Sequence, residues 1–510
     1  MSVIVEVTKI NESFIKISSN DESIYYELYE YFSFFVPGYK FMPKYKNDIW
    51  DGKIHLFNKR NRQLYSGLLY KLLNFCKQRK YKVFVSDNLK KVEEEKYNLK
   101  TLGLPYEAYD YQNTAVHKIL NEKNSLILSP TGSGKSLIIY SAIRFLLQKK
   151  KKVLLVVPTV QLVEQMYNDF KEYGWNNIDD HVHIIYSGKE KTNRNETQVS
   201  TWQSIYKLPQ KWFSDFDAVF VDEAHEAQAD SLKGIMEKCI NAEYRIGLTG
   251  TIKDAKVHEL VLNGLFGPTY VTIKTKKLMD DDILSNLKIT CLMLKHPIEK
   301  SKIVSKFKYA DEIKVITEDN RRNNFIINLS LDLENNTLVL FNLVKKHGEK
   351  IYKLYQEKNA KLPSEKQKKI FFIHGKIPVE EREKIRKFTE ENNNVIILAS
   401  YGTFSTGINI KNLNNGLFAH PYKSKIKVLQ SIGRFLRKAP NGKAAKLFDI
   451  SDDYTHGTKK NTTYKHALER MKLYEKENFN YSIKVLKLWN WNKNNQKINK
   501  KYIIVIKLWF

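Results

Sequence analysis

The chain has 510 residues, room for about three domains, and 42% of them are hydrophobic, as in a globular protein in water. Lys and Arg number 85 against 56 Asp and Glu, a formal +29 at pH 7, which favours a polyanionic partner, nucleic acid ahead of membrane. No apolar run approaches a membrane span, Met1–Asn11 lacks the order of a signal peptide, and Cys76, Cys239 and Cys291 lie too far apart for a disulfide framework or a metal site, so buried thiols in a reducing cytoplasm are expected.

Residues 1–98 read as a small α+β domain. Val3–Val7 and Phe14–Ile17 alternate as strands, Ser66–Lys80 has helical spacing, and the charge run Lys90–Lys96 leads onward. Between Gly38 and Lys82 twelve Lys and Arg stand against Asp48 and Asp51, with Tyr39, Phe41, Tyr45 and Trp50 interleaved. The basic cluster reads as a DNA-binding surface, with Lys44, Lys46, Lys53 and Trp50 as candidate contacts. As a group, the aromatics are expected to form the small domain's core, the usual place of Phe and Tyr.

From about Tyr109 to Ser451 short runs rich in Val, Ile, Leu and Phe alternate with helical patterns. They include Val153–Val157, His183–Tyr186, Ala218–Val221 and Arg245–Leu248, then Leu338–Phe341, Ile370–Ile373, Val395–Ala399 and Leu447–Ile450. Such runs read as buried parallel strands of βαβ units, in two sets. The charged, irregular stretch 280–324 between the sets is expected to be a domain junction. After the short run Leu126–Leu128 comes Ser129-Pro130-Thr131-Gly132-Ser133-Gly134-Lys135-Ser136. Small residues at a strand-to-helix turn let backbone N–H groups close on phosphate oxygens. Lys135 adds a mobile charge for the β- and γ-phosphates, and the Ser136 hydroxyl is suited to Mg²⁺. The pattern departs from the strict form in having Ser129 where Gly is usual.

Phe220-Val221 then delivers Asp222-Glu223-Ala224-His225 to a strand's C-terminal end, where ligands bind in open α/β sheets. Asp222 suits Mg²⁺, and Glu223 suits orientation and deprotonation of the attacking water. The hydroxyls of Leu248-Thr249-Gly250-Thr251 can hydrogen-bond the Asp222 region. In the second set, Gln430-Ser431-Ile432-Gly433-Arg434-Phe435-Leu436-Arg437 puts two arginines on one helix face, suited to charge on a transferring phosphoryl group. The tail from Asn478 is rich in Lys and Asn. Its Trp489, Trp491 and Trp509 read as packing residues, and Tyr502–Phe510 as an edge strand, an amphipathic segment or a partner-binding end.

Taken in order, Tyr111-Gln112, Ser129–Ser136, Val157-Pro158-Thr159, Ser200-Thr201-Trp202-Gln203, Asp222–His225, Leu248–Thr251, Ala399–Asn409 and Gln430–Arg437 resemble the motif series of superfamily-two helicases of the DEAH-box type. The series spans roughly two-thirds of the chain, and its specificity lies in the order rather than in any one motif. Gly38–Pro43, Asn47–Ile54 and Ala399–Gly407 extend the likeness to the UvsW-type phage recombination and branch-migration helicases. The resemblance implies an α/β fold: two tandem RecA-like, doubly wound parallel-sheet domains behind a small α+β N-terminal domain. The boundaries are then 1–98 for the DNA-binding domain, 99–280 for the ATP-binding RecA-like domain, 281–325 for a connection, 326–455 for the second RecA-like domain and 456–510 for a helical, basic tail.

The same resemblance makes Pro130 to Ser136 and Gly407 nucleotide contacts and Gln112 the adenine reader. Ser136 and Asp222 become metal ligands, and Lys135, Glu223, Gln430, Arg434 and Arg437 the catalytic set. Thr159, Thr201, Trp202 and Thr406 become contacts to the nucleic-acid backbone. Asn409 stands where many relatives carry Asp. The activity implied is ATP- and Mg²⁺-dependent unwinding and remodelling of branched DNA by a monomer in the host cytoplasm, with recombination or replication proteins as further partners. The motor motifs alone also fit an RNA helicase or the motor subunit of a restriction-type nuclease. They argue against a catalytically dead scaffold.

Overall fold

The computed structural model describes residues 3–89, 94–191, 195–226, 230–250, 256–407, 410, 412–424, 428–429, 431–433, 444–487 and 504–505. The chain divides into two compact units, Met1–Ile273 and Lys274–Phe510. Among the described residues no helix is long and apolar enough to cross a membrane. All three cysteines are free and buried, and burial pushes the Cys76 and Cys239 thiols up to about 11 and 12.

The first unit begins with a five-stranded sheet in the order 57–58, 63–65, 14–19, 4–9, 82–85. Val5, Val7, Ile15 and Ile17 alternate inward with polar neighbours, the two-residue period of a half-buried strand. Helices Ser23–Tyr31 and Leu69–Arg79 contribute Leu28, Leu72 and Phe75 to the same core. A separate hairpin, Ser33–Phe35 with Lys53–His55, carries the excursion 36–52.

This small domain is not a bead on a string, because its core runs without a break into that of the ATPase portion. Gly67 is why the two can approach so closely: a Cβ there would lie 2.3 Å from the Asn263 carbonyl oxygen and 2.7 Å from that of Gly264. Tyr70 donates to Asn263 at 3.0 Å, Ser13 to the Met236 carbonyl at 3.1 Å, and Tyr65 to the Glu237 carboxylate. Buried Arg245 braces the same region by donating to the carbonyls of Met236, Cys239 and Leu265.

The ATPase portion is a seven-stranded sheet in the order 182–185, 197–201, 153–157, 218–221, 244–249, 124–128, 269–271, with every pairing parallel. The second unit is an eight-stranded sheet in the order 369–373, 395–400, 337–341, 415–418, 445–453, 287–295, 480–487, 504–505, parallel except for its last pair. Helices fill the crossovers, as right-handed βαβ connections require.

Two boundaries differ from the sequence expectation. The stretch 281–325, expected as a connection, holds the strand Leu287–Lys295 deep inside the second sheet, paired on both sides. Its apolar run is flanked by charged residues that belong to surface helices, which hides it in the sequence. The segment 456–510, expected as a tail, contributes helix Thr462–Lys476 and strand Asn480–Lys487 to the body of that unit. Ile504–Val505 adds an antiparallel edge strand, one of the three readings of Tyr502–Phe510.

Candidate nucleotide site and nucleic-acid surface

The strand Asn124–Leu128 ends in the loop 129–134, and Gly134 starts helix Lys135–Gln148 from a left-handed conformation, φ 77°. Gly132 is also left-handed, φ 86°. Both positions need glycine, and together they curl the loop so that its amides precede a helix N-terminus, the arrangement that binds phosphate. Ser129 finds a use that glycine could not: its buried hydroxyl hydrogen-bonds Ser133 Oγ at 2.6 Å and accepts from Thr272 Oγ1 at 3.1 Å. The Ser133 hydroxyl also reaches the Pro130 carbonyl at 2.6 Å. The loop is thus cross-braced by side chains, and Thr272 is a brace that no motif announces.

Gln112 is buried against this loop. Its Nε2 donates to the Ser133 carbonyl at 3.0 Å, its Oε1 accepts from the Tyr109 amide at 3.0 Å, and Tyr111 Oη donates to the same Ser133 carbonyl at 2.9 Å. The resemblance points both edges of the Gln112 amide at adenine; here one edge holds the loop and the other caps the start of its own helix. A Cβ on Gly134 would meet Gln112 Nε2 at 2.4 Å, so the glycine is needed for this packing as well as for its φ.

Lys135 Nζ donates to the Ser129 carbonyl at 3.3 Å and lies 3.9 Å from Glu223 Oε1. Asp222 and Glu223 follow the strand Ala218–Val221. Burial pushes the Asp222 carboxyl up to about 7, the Glu223 carboxylate adds to the shift, and Lys135 opposes it. Asp222 Oδ1 is buried with no hydrogen-bond partner among the described residues. A buried acceptor of this kind, within reach of the Lys135 charge, fits a divalent cation, which would reverse the upward shift. Glu223 has φ 52°, a left-handed conformation that costs a residue with a Cβ about 1–3 kcal/mol. His225 Nδ1 lies 3.2 Å from Glu223 Oε2 and shares a 2.8 Å hydrogen bond with Thr249 Oγ1. The Thr249 carbonyl accepts from the Ser129 amide at 3.0 Å. One chain of contacts therefore ties phosphate loop, paired carboxylates and threonine turn together, as their sequence order suggests.

The proposed nucleic-acid contacts divide. Thr159 is half-buried and caps helix Val160–Glu172, accepting from the Leu162 amide at 3.3 Å. Thr201 and Trp202 are corrected: both are buried, the Thr201 hydroxyl bonds Ser204 Oγ at 2.9 Å, and the indole packs in the core with Ile205. The strand Thr197–Thr201 turns straight into a short helix, which draws the motif inward. Thr406 and Gly407 lie in helix Tyr401–Gly407. Gln430, Arg434, Arg437, Asn409, Thr251 and the tail tryptophans lie outside the described residues.

In the small domain Lys44 and Lys46 are exposed. Lys53 is tied to Glu30 at 2.6 Å, and Trp50 Nε1 donates to the Lys53 carbonyl at 2.7 Å. The expectation that the aromatics build the core is overturned. That core comes from the strands and helices, while Tyr39 of the 36–52 excursion stacks on Phe35 of the hairpin and meets Tyr45 edge-on. Phe41 is 81% exposed and Ile49 73%. They share the excursion with the exposed Lys40, Lys44 and Lys46, the composition of a candidate binding surface. The signal was present in Gly38 and Gly52, both left-handed, which bracket the excursion.

Three family profiles match the chain: the N-terminal domain of the DNA helicase UvsW over residues 5–86, the res subunit of type III restriction enzymes over 105–254, and the conserved C-terminal helicase domain over 321–439. The ATP-dependent DNA helicase UvsW of Enterobacteria phage T4 is 33% identical over 92% of this chain and 97% of its own length. The DNA 3'-5' translocase XPB2 of Sulfurisphaera tokodaii is 26% identical over 71% of this chain and 86% of its own. A fragment of an HsdR subunit of a type I restriction enzyme from Vibrio vulnificus shares the fold, with TM-score 0.57, 17% identity, and coverage of 82% of this chain and 74% of that one. With a relative so similar across nearly its full length, and with the nucleotide-site motifs of the first unit in mutual contact, this chain belongs to the UvsW family of ATP-dependent DNA helicases.

Proposed function

We propose that this helicase spends ATP on branched DNA, unwinding and remodelling forks, Holliday junctions and D-loops in phage replication, recombination and repair. The observation that carries the reading is the joint between the small basic domain and the ATPase portion. A surface with exposed Phe41, Ile49 and lysines is built on the same core as the phosphate loop, so a grip on DNA structure and the hydrolysis site belong to one body.

In this reading Pro130 to Ser136 hold the phosphates of ATP, and Ser136 and Asp222 hold Mg²⁺, which supplies charge neutralisation at the phosphates. Glu223 orients and deprotonates water. Gln430, Arg434 and Arg437 act on the γ-phosphate, with Gly407 a further nucleotide contact. Gln112 reports on the nucleotide through its hold on the loop. Thr159 and Thr406 follow the DNA backbone, while Lys44, Lys46, Trp50 and Lys53 belong to the small domain's DNA surface. The chain works as a monomer in the host cytoplasm, where recombination or replication proteins meet it.

The test is steady-state ATPase with matched single-stranded DNA, linear duplex, four-way junction and single-stranded RNA, with Lys135→Ala as the control. Strongest stimulation by the junction is expected. Strongest stimulation by RNA would overturn the substrate while leaving the motor intact.

A further inference from the structure

Ser136 has a neighbour that the motif series does not contain. Tyr173 caps the C-terminal end of helix Val160–Glu172, and its hydroxyl lies 2.7 Å from Ser136 Oγ. The tyrosine is anchored: Tyr140 packs against its ring and donates to its carbonyl at 3.3 Å. Tyr106 meets it edge-on, with ring centroids 5.9 Å apart. Tyr106 itself is 48% exposed and stands six residues before Gln112.

A serine hydroxyl has one proton and two lone pairs. If Tyr173 donated to Ser136, it would occupy a lone pair that a cation needs. If Ser136 donates to Tyr173, both lone pairs stay available. With a cation on Ser136 only the second arrangement fits, because a metal-bound hydroxyl is a stronger donor and a second donor aimed at its oxygen would compete with the cation. The Tyr173 hydroxyl, 2.7 Å away, is placed to take that proton.

We propose that Tyr173, held by Tyr106, is a positioning residue for the metal: it accepts the Ser136 proton in a hydrogen bond and so presents the serine's lone pairs to the divalent cation that accompanies ATP. Groups behind a metal ligand commonly fix its orientation in this way. The proposal rests on the reading of Ser136 as a metal ligand.

The experiment is binding of a fluorescent ATP analogue by the full chain, in EDTA and through a Mg²⁺ titration, for wild type, Tyr173→Phe, Tyr106→Ala and Ser136→Ala. Tyr173→Phe keeps the ring and removes only the hydroxyl. The expected result is a rise of about 10-fold or more in the Mg²⁺ needed for half-maximal tightening, the usual cost of losing such a partner, with binding in EDTA unchanged. Tyr106→Ala, which removes the ring that Tyr173 meets edge-on, moves the same midpoint in the same direction by less, and keeps the test open if Tyr173→Phe fails to fold. An unchanged Mg²⁺ midpoint overturns the proposal. So does a lowered midpoint, which would make Tyr173 a competitor for Ser136, and so does an equal loss with and without Mg²⁺, which would make it structural. If Ser136→Ala leaves the midpoint in place, the metal reading itself falls. If only Ser136→Ala shifts it, the role of Tyr173 alone falls.

Discussion

At the scale of residues, the strained group is the one assigned the chemistry. Glu223 holds a left-handed backbone conformation, pinned by Lys135 on one side and His225 on the other, as strain retained at a working position should be. Glu223→Gln keeps size and hydrogen bonding but removes the base. Single-turnover ATPase is expected to fall about 10²- to 10⁴-fold while nucleotide binding persists; a variant with near-normal turnover would take the base role away from it. Phe41 makes the opposite case, a residue with no structural duty. At 81% exposure, Phe41→Ala is expected to leave the melting temperature unchanged, since surface changes move stability by about 0.5 kcal/mol or less. Its affinity for junction DNA should fall by an amount matching about 1–3 kcal/mol of lost stacking, read by fluorescence anisotropy. Unchanged affinity would remove the excursion from the DNA surface.

At the scale of elements, the joint between small domain and ATPase portion depends on Gly67. Gly67→Ala places a methyl group against the backbone of Asn263 and Gly264, which cannot rotate away. A loss of order 1–3 kcal/mol is expected, measured by denaturant unfolding, and wild-type stability would show that the joint yields. The second unit carries its own signature. Burial, with Arg322 close by, holds His420 down at about 3, and the same causes keep His347 well below its ordinary value. The unfolded chain takes up these protons near pH 6.5. Their contribution to stability is therefore full above that pH and is lost as pH falls from about 6.5 toward 3. The melting temperature is expected to drop between pH 7.5 and 5.5, and His420→Gln to flatten part of the drop; an unchanged slope would assign the acid sensitivity elsewhere. Legibility follows the same physics. Runs such as Val153–Val157 and Val395–Ala399 announce strands because both faces are buried, and the phosphate loop announces itself because only certain residues can curl around phosphate. The strand Leu287–Lys295 was missed because charged neighbours mask its apolar run. Thr272 and Tyr173 were missed because they reach the site only through tertiary packing. Trp202 and Phe41 were misread in opposite directions, since an aromatic at a surface and one in a core look alike in sequence.

At the scale of the whole molecule, a charge of +29 gives the chain attraction to any nucleic acid, and attraction alone does not choose a branch. What distinguishes a remodelling helicase is that hydrolysis moves a junction. The most direct measurement is therefore conversion of a mobile four-way junction into its duplex products, followed by native gel, for wild type and Glu223→Gln with and without ATP. ATP-dependent conversion by wild type, with the variant bound to the junction but inert, is the expected result. Conversion that proceeds equally without ATP, or a wild-type enzyme that hydrolyses ATP on the junction and leaves it unmoved, would contradict the assignment of branched-DNA remodelling.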